Sequence, residues 1–564
     1  MVQGMGVSSG GLHREKTQEC VLRGRGGLPW EPLLLAVFVL AVFGYRLDTV
    51  PFRGEETRWA RVAWEMRETG DYVVPRQQGQ VFADRPPLNS WCMLAASAWT
   101  GRLDRFSVRI PAALATLLTT LLLYVYCRQF LSRGGAMTAG LVYATFPQTL
   151  QLGRFAESDA LFTLLVSAAL LTWHAGYERH WLRAATWTSG YALAALAGLA
   201  KGPQGPVYFA ATVTVFLTLK RDWRFLFSLS HVVGLLTFAA VLGAWQIPFS
   251  LRAGSNATIA IWSEEGTFGS RLAGVLGTSW WRHAAVYPLE VFLHLLPWSV
   301  FLFWFLRPGS WRSRAAIDQH AAFLAVYLAI AFPTCWLTAD ARPRHLMAAY
   351  PAVACLIALA IDRSCFSRSW DRGFRWFLAV AGVLSILLGA GVAALGFSLA
   401  TPRFNALVTP SAATAACGLA MCVLGAVGFW TRTGDAPARA AAGVGAVAAT
   451  LGLGFVVLGI DHLARISDDL EPQVARLKSD VLRGQRLVSL GPLFHRFTFY
   501  YRDPIEIVPW PEDASAAPSD YFCFMKNEAA RHGKTPWTWQ EVAVLYCDRT
   551  GQEGANVVHV CRRR

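Results

Sequence analysis

The chain has 564 residues, 54% of them hydrophobic and only 16% charged, with a net charge of +15. Soluble domains carry about 25% charged residues, so this composition excludes an ordinary soluble enzyme and points to the membrane class. The cations sit in short clusters between apolar runs, not on one patch. That argues against a nucleic-acid partner and fits the retention of Lys and Arg on the cytoplasmic side of a membrane.

Residues 1–28 form a polar, basic tail (Arg14, Lys16, Arg23, Arg25). The apolar run Pro32–Tyr45 follows without a small-residue cleavage site, so it reads as a retained first span. Runs judged by the length needed to cross a bilayer give about 13 spans, centred near residues 38, 119, 144, 167, 192, 212, 237, 298, 329, 354, 387, 421 and 449. With the N-terminus inside, the cytoplasmic loops hold most of the cations, among them Arg179, Arg183, Lys220, Arg221, Arg224, Arg363, Arg368 and Arg372. The short outside loops hold only Arg154, Lys201, Arg342, Arg344 and Arg403. This bias predicts an N-in, C-out topology. Two long loops, 46–105 and 248–287, then face outside a transmembrane region spanning 29–461.

From residue 462 to 564 short β-type runs (Arg486–Leu490, Phe497–Tyr501, Val542–Tyr546, Val557–Val560) alternate with polar turns. They predict a small extracytoplasmic α/β domain. The expected fold is therefore an α-helical polytopic membrane protein with a C-terminal α/β domain. The eleven cysteines are scattered, without CxxC or His/Cys metal spacing. Cys523, Cys547 and Cys561 fall in the final segment, as one disulfide and a spare thiol or as three free thiols.

The first long loop is the most informative part. Trp59, Val62, Ala63 and Met66 are spaced i, i+3, i+4, i+7 and make one apolar face. Arg58, Arg61, Glu65 and Glu68 take the other, and Gly70 is a helix stop. The pattern predicts a short helix lying on the membrane surface. Glu55 and Glu56 precede it, either complementing its dipole or offering a base at the membrane surface. Asp84 before Pro86-Pro87 either caps a second helix or acts with Arg85, whose planar, permanent charge suits a phosphate. Local pattern leaves both pairs of readings open.

Taken in order, the motifs resemble those of the PMT/ArnT-type membrane glycosyltransferases, the GT-C type group of protein O-mannosyltransferases and lipid A aminoarabinose transferases. The resemblance rests on Glu55-Glu56-Thr57-Arg58-Trp59-Ala60, Gly70-Asp71-Tyr72, Asp84-Arg85-Pro86-Pro87-Leu88, Arg109-Ile-Pro, Gly153-Arg154 through Asp159, Lys201-Gly202-Pro203, Arg271 through His283 and Tyr287, and Arg342-Pro-Arg344 with Tyr350-Pro351. It covers roughly residues 30–360. Glutamate stands at 55 where the family has aspartate, and Asp84-Arg85 stands where it has Glu-Lys.

The resemblance implies transfer of a sugar from a polyprenyl-phosphate donor to a lipid, glycan or protein acceptor on the outer face of the inner membrane. The transfer would invert the anomeric centre, because no covalent intermediate is implied. It implies Glu55, Asp159 and Glu56 as catalytic carboxylates, and Asp84, Arg85, Arg58, Lys201, Arg271, Tyr287 and Arg344 as substrate-binding residues. The local alternatives are a cap for Asp159, an interfacial turn for Lys201 and an aromatic belt for Tyr287. No cofactor is expected, and no metal is required, since the outer loops lack an Asp-x-Asp motif. Two other readings fit a chain of many spans: a flippase for lipid-linked glycans, or a catalytically degenerate relative.

Overall fold

In the computed structural model the described residues are 30–263, 278–306, 315–339, 341–365, 372–397, 410–434, 436–510, 519–532, 537–547 and 556–564. Pro32 sits in the first turn of α1 (Glu31–Phe43), where a missing N–H costs nothing. The first long loop then folds into α2 (Glu56–Thr69), a two-residue hairpin of β1 (Arg76–Gln77) and β2 (Gln80–Val81), and α3 (Leu88–Thr100). Gly70 ends α2 with φ of 70°, a left-handed conformation that glycine adopts without penalty. A capping box of Asp104 and Ser107 starts α4 (Arg105–Cys127).

The bundle continues through α5 (Arg133–Ala144), α6 (Pro147–Leu152), α7 (Asp159–Glu178), α8 (Arg183–Lys201), α9 (Gln204–Lys220), α10 (Leu229–Ser263), α11 (Thr278–His294), α12 (Ala315–Trp336), α13 (Tyr350–Cys365), α14 (Arg372–Gly396), α15 (Ala412–Thr431) and α16 (Pro437–Gly454). Tight 3-10 stretches run over Trp298–Leu306 and Pro343–Ala349. Each of the 13 predicted centres falls in a helical segment, residue 298 in a 3-10 stretch. Among the described residues, however, only eight helices are long and apolar enough to cross a membrane, or nine if the pair Trp280–His294 and Trp298–Leu306, bent by 117°, is one span. The shortfall comes partly from length. α1 and α5 have 13 and 12 residues; at about 1.5 Å per residue neither covers a hydrocarbon core of about 30 Å. Phe146 and Pro147 break the third predicted span into α5 and α6.

Where no water drives association, helices pair by close packing of small residues. α14 and α15 follow that rule. A Cβ at Gly389 would lie 2.6 Å from the Gly418 carbonyl oxygen, and one at Gly382 would lie 2.8 Å from that of Gly425. The seven-residue spacing keeps these glycines on one face of each helix.

Beyond residue 470 lie α17 (Glu471–Arg476) and a five-stranded sheet in the order β4-β3-β5-β7-β6. Its strands are β3 (Leu487–Leu490), β4 (Glu506–Val508), β5 (Tyr521–Met525), β6 (Trp539–Tyr546) and β7 (Val557–Arg563). β3 pairs in parallel with β4 and β5, while β7 pairs antiparallel with β5 and β6. The predicted strand Phe497–Tyr501 is instead part of a helix, α18 (His495–Tyr501). Phe497 and Tyr501 stack with centroids 5.6 Å apart on the core of this segment, while Phe499 meets Phe52 of the first long loop edge-on at 5.2 Å. A helix buried on two sides loses its polar stripe, so its composition imitates a strand. Cys523, Cys547 and Cys561 are all buried.

That contact also changes the reading of α2. Trp59, Val62, Ala63 and Met66 are buried as expected, but so are Arg61 and Glu65 on the face predicted to be solvated. Arg61 donates to the carbonyls of Thr498 and Arg502, both at 3.0 Å, and pairs with Glu65 at 2.6 Å. α2 is thus clamped between the bundle and the C-terminal segment.

Candidate active site

Charge is expensive to bury unless it is paired and fully hydrogen-bonded. Glu56, at the first turn of α2, is wholly buried and meets that condition. Arg109, one turn into α4, donates Nε to its Oε1 at 2.7 Å and Nη2 to its Oε2 at 2.9 Å. The backbone N–H groups of Arg53 and Ala156 add bonds of 2.9 and 2.8 Å. Four donors fill the acceptor positions of a carboxylate. Arg109 Nη1 also donates to the carbonyls of Leu47 and Val50, each at 2.8 Å. One ion pair therefore ties the first long loop to α4 and to the 153–158 turn. Arg154 of that turn donates to the carbonyls of Tyr45 and Arg46 at 2.8 and 2.9 Å. Burial, and then the like charge of Arg109, push its guanidinium down to about 10, so it stays charged at neutral pH.

Beside this knot the 153–158 turn and the helix that follows it present two more acids. Asp159, the first residue of α7, takes Lys201 Nζ on Oδ1 at 2.7 Å and Arg344 Nη2 on Oδ2 at 3.0 Å. Lys201 arrives from the end of α8 and Arg344 from the 3-10 stretch before α13. The same Arg344 Nη2 is hydrogen-bonded to Glu157 Oε2. Glu157 is buried, and desolvation raises its carboxyl to about 7 against the pull of Arg344, with Asp159 and Glu56 adding repulsion. Gly54 makes room for it. A Cβ there would lie 2.7 Å from Glu157 Oε1, and its φ of +51° suits glycine.

Glu157 and Arg344 open onto a cavity of about 690 Å³, which Arg53, Arg342, Arg496 and His283 also line. The cavity is therefore rich in cations and takes walls from the loop, the bundle and the C-terminal segment. The other predicted residues form a chain of contacts that reaches the 153–158 turn. Glu55, the N-cap of α2, makes no capping bond. It pairs instead with Arg58 at 3.1 Å, and Arg58 reaches Asp84 at 3.2 Å. Arg85 lies over the Trp59 ring at 4.9 Å and donates to Ser158 Oγ at 2.6 Å. Asp84 is not a cap, since Pro87 holds that position before α3. Tyr287 is buried one turn along α11 from His283, their rings 4.9 Å apart. Arg271 lies outside the described residues.

The structure thus brings Glu55, Glu56, Arg58, Asp84, Arg85, Asp159, Lys201 and Arg344 to one end of the bundle, with Tyr287 behind the far wall. Sequence reading gave no role to Arg109, although it opens one of the motifs, and did not single out Glu157 or His495. Among the described residues no three His, Cys, Asp or Glu side chains are placed to hold a metal ion.

The polar residues thus gather at one end of an α-helical membrane bundle, beside a cavity. In sequence the chain is similar to the PMT/ArnT-type membrane glycosyltransferases. The family model for dolichyl-phosphate-mannose-protein mannosyltransferases matches residues 84–245. The undecaprenyl phosphate-alpha-4-amino-4-deoxy-L-arabinose arabinosyl transferase of Edwardsiella ictaluri is 27% identical over 366 residues, which is 63% of each chain. The enzyme of the same name from Aeromonas salmonicida is 27% identical over 371 residues, 64% of this chain and 66% of the relative. The alignable region therefore spans under two thirds of these relatives. The fold likeness is wider. ArnT from Cupriavidus metallidurans in the apo state superposes with a TM-score of 0.70 at 17% identity, covering 94% of this chain and 97% of that one. The same protein bound to undecaprenyl phosphate gives 0.67 at 18% identity, with equal coverage.

Proposed function

We propose that the protein is a glycosyltransferase that moves a sugar from a polyprenyl-phosphate donor to a lipid, glycan or protein acceptor on the outer face of the inner membrane. The observation that carries this reading is the polar network in which Asp159 takes both Lys201 and Arg344, with Arg85 bonded to the adjacent Ser158, beside a cation-rich cavity that Arg344 and Glu157 line. The reaction sets two tasks. A base must take the acceptor's proton, and cations must meet the charge that grows on the departing lipid phosphate.

Glu55 is the base in this proposal. Its Oε2 faces Arg58 Nε at 3.1 Å without a well-formed hydrogen bond, and the side chain is 42% exposed, so it retains acceptor capacity. Glu56 has none left and serves to hold the loop. Arg85, stacked on Trp59 beside Ser158, faces the donor phosphate, with Arg271 joining it on the strength of the resemblance. Asp159 sets the positions of Lys201 and Arg344, and Glu157 governs the charge on the cavity side of Arg344. Asp84 fixes Arg58, which in turn steadies Glu55. Tyr287 supports the wall carrying His283. Direct attack by the acceptor inverts the anomeric centre.

The same proposal gives the bundle about 13 spans, with residues 1–28 in the cytoplasm and 462–564 outside as an extracytoplasmic domain. Single cysteines added near each end, labelled by an impermeant thiol reagent in intact and broken cells, test that topology. Outside labelling of the N-terminal site would overturn it. The function is tested by incubating purified protein with a panel of radiolabelled polyprenyl-phosphate sugars and following loss of sugar from the lipid. Turnover that collapses in Glu55→Gln and falls in Arg85→Ala supports the reading. Turnover that survives both removes the site, and none with any donor removes the function.

A further inference from the structure

The open oxygen of Glu55 has a second neighbour, and it comes from the far end of the chain. Oε2 lies 3.9 Å from Nε2 of His495, the first residue of α18. On its other side the imidazole Nδ1 is 2.6 Å from the hydroxyl of Thr57, which is fully buried. The ring is itself only 9% exposed and lies against Phe494, centroids 4.4 Å apart. With the Thr57 hydroxyl donating to Nδ1, the ring carries its proton on Nε2 and turns that proton toward Glu55; this tautomer is assigned from the network. A closure of about 1 Å makes the contact a hydrogen bond.

Glutamate has one more rotatable bond than aspartate, so fixing its carboxylate costs more conformational entropy. Arg58 alone leaves Oε2 without a hydrogen bond. A base that is off by about 1 Å can lose 100-fold in rate.

We propose that His495 is a positioning residue for Glu55, holding the longer carboxylate in place so that the C-terminal segment completes the active site. The proposal rests on Glu55 being the base. The charged and polar groups around the ring include Glu55 before α2, Thr57 within it, and Arg58 behind Glu55. α18 is held in register by Arg61, which binds the Thr498 and Arg502 carbonyls.

Two near-isosteric variants separate this role from a structural one. The amide of His495→Gln reaches toward the Nε2 position and loses the partner of Thr57. The amide of His495→Asn stays near Nδ1 and abandons Glu55. If His495 acts on Glu55, His495→Asn lowers kcat roughly 10- to 100-fold with KM for the donor within about twofold, while His495→Gln stays within about fivefold of wild type. The reverse order, or two variants with wild-type kcat, overturns the proposal.

A second readout does not depend on turnover. In histidine-labelled protein in detergent, the NMR titration midpoint of His495 should fall in Glu55→Gln, because the carboxylate no longer favours the imidazolium. An unchanged midpoint overturns the pairing even in protein with no measurable activity. Wild-type turnover that survives Glu55→Gln, with the midpoint shifted, sinks the base assignment and leaves the pair standing.

Discussion

Glu56 and Glu55 are adjacent in sequence, yet they anchor regions of opposite character. Around Glu56 every donor and acceptor is matched, and the pair with Arg109 is sealed from water. Around Glu55 the carboxylate is 42% exposed, one buried oxygen accepts no hydrogen bond, and its partners Arg58 and His495 belong to different parts of the chain. A saturated charge has nothing left to offer a substrate, but it can fix where its neighbour stands. An unsaturated one is poorly held and chemically available. The saturated knot is thus the foundation on which the open cluster is placed.

If this division holds, substitutions should fall in a steep order of effect on stability. Arg109→Ala stands first. It leaves Glu56 buried without a counter-charge, which costs about 3–5 kcal/mol. Little folded protein should elute on gel filtration in detergent, and Arg109→Lys should rescue only part, because an ammonium cannot reproduce the fork. A folded and stable Arg109→Ala protein would break the comparison.

Gly54→Ala comes next, because Gly54 joins the two regions. Its positive φ costs a non-glycine residue about 1–2 kcal/mol, and the added methyl meets Glu157 Oε1. A fall in Tm of several degrees is expected, with turnover reduced further than the loss of stability explains.

Glu157→Gln is smaller and carries a sign. The folded-state carboxyl is raised to about 7 by burial, above the usual value of about 4.3. Between those values the folded protein keeps a proton that the unfolded chain has released, so wild-type stability falls as pH rises through that window. The variant lacks this dependence. Its Tm relative to wild type should therefore improve from pH 5 to pH 8. A difference that is flat with pH, or that reverses, would show that Arg344 keeps Glu157 ionised throughout.

Some of this was legible in the sequence. The span of α2, its apolar face and its stop at Gly70 follow from local periodicity and one glycine. Asp159, Lys201 and Arg344 were named from motifs. Their union was not readable, because Asp159 and Arg344 are 185 residues apart and nothing local encodes the pairing. Arg109 did carry a signal: a charge one turn inside an apolar span is costly unless something pairs with it. Glu157 was overshadowed by Asp159 two positions on, although a second acid in so apolar a stretch is equally anomalous. His495 could not be found at all. It lies 438 residues from Thr57, on a helix whose aromatic residues read as a strand.

Glu55→Gln should disturb the fold least and the chemistry most. The amide keeps the shape of the side chain and gives up only a half-exposed ion pair, so the change in stability should stay within about 0.5 kcal/mol. As a base, however, an amide cannot hold the acceptor's proton, and the rate should fall by about 100-fold or more. The measurement is single-turnover loss of sugar from the lipid donor, beside a Tm taken on the same preparation. Wild-type Tm with collapsed turnover places Glu55 among the reacting groups and Glu56 among the supports. Loss of both together would mean that Glu55 is as structural as its neighbour. Retained turnover would pass the base role to Glu157, the carboxyl that lines the cavity and is raised to about 7, where part of it is ionised and a base is best matched to neutral pH.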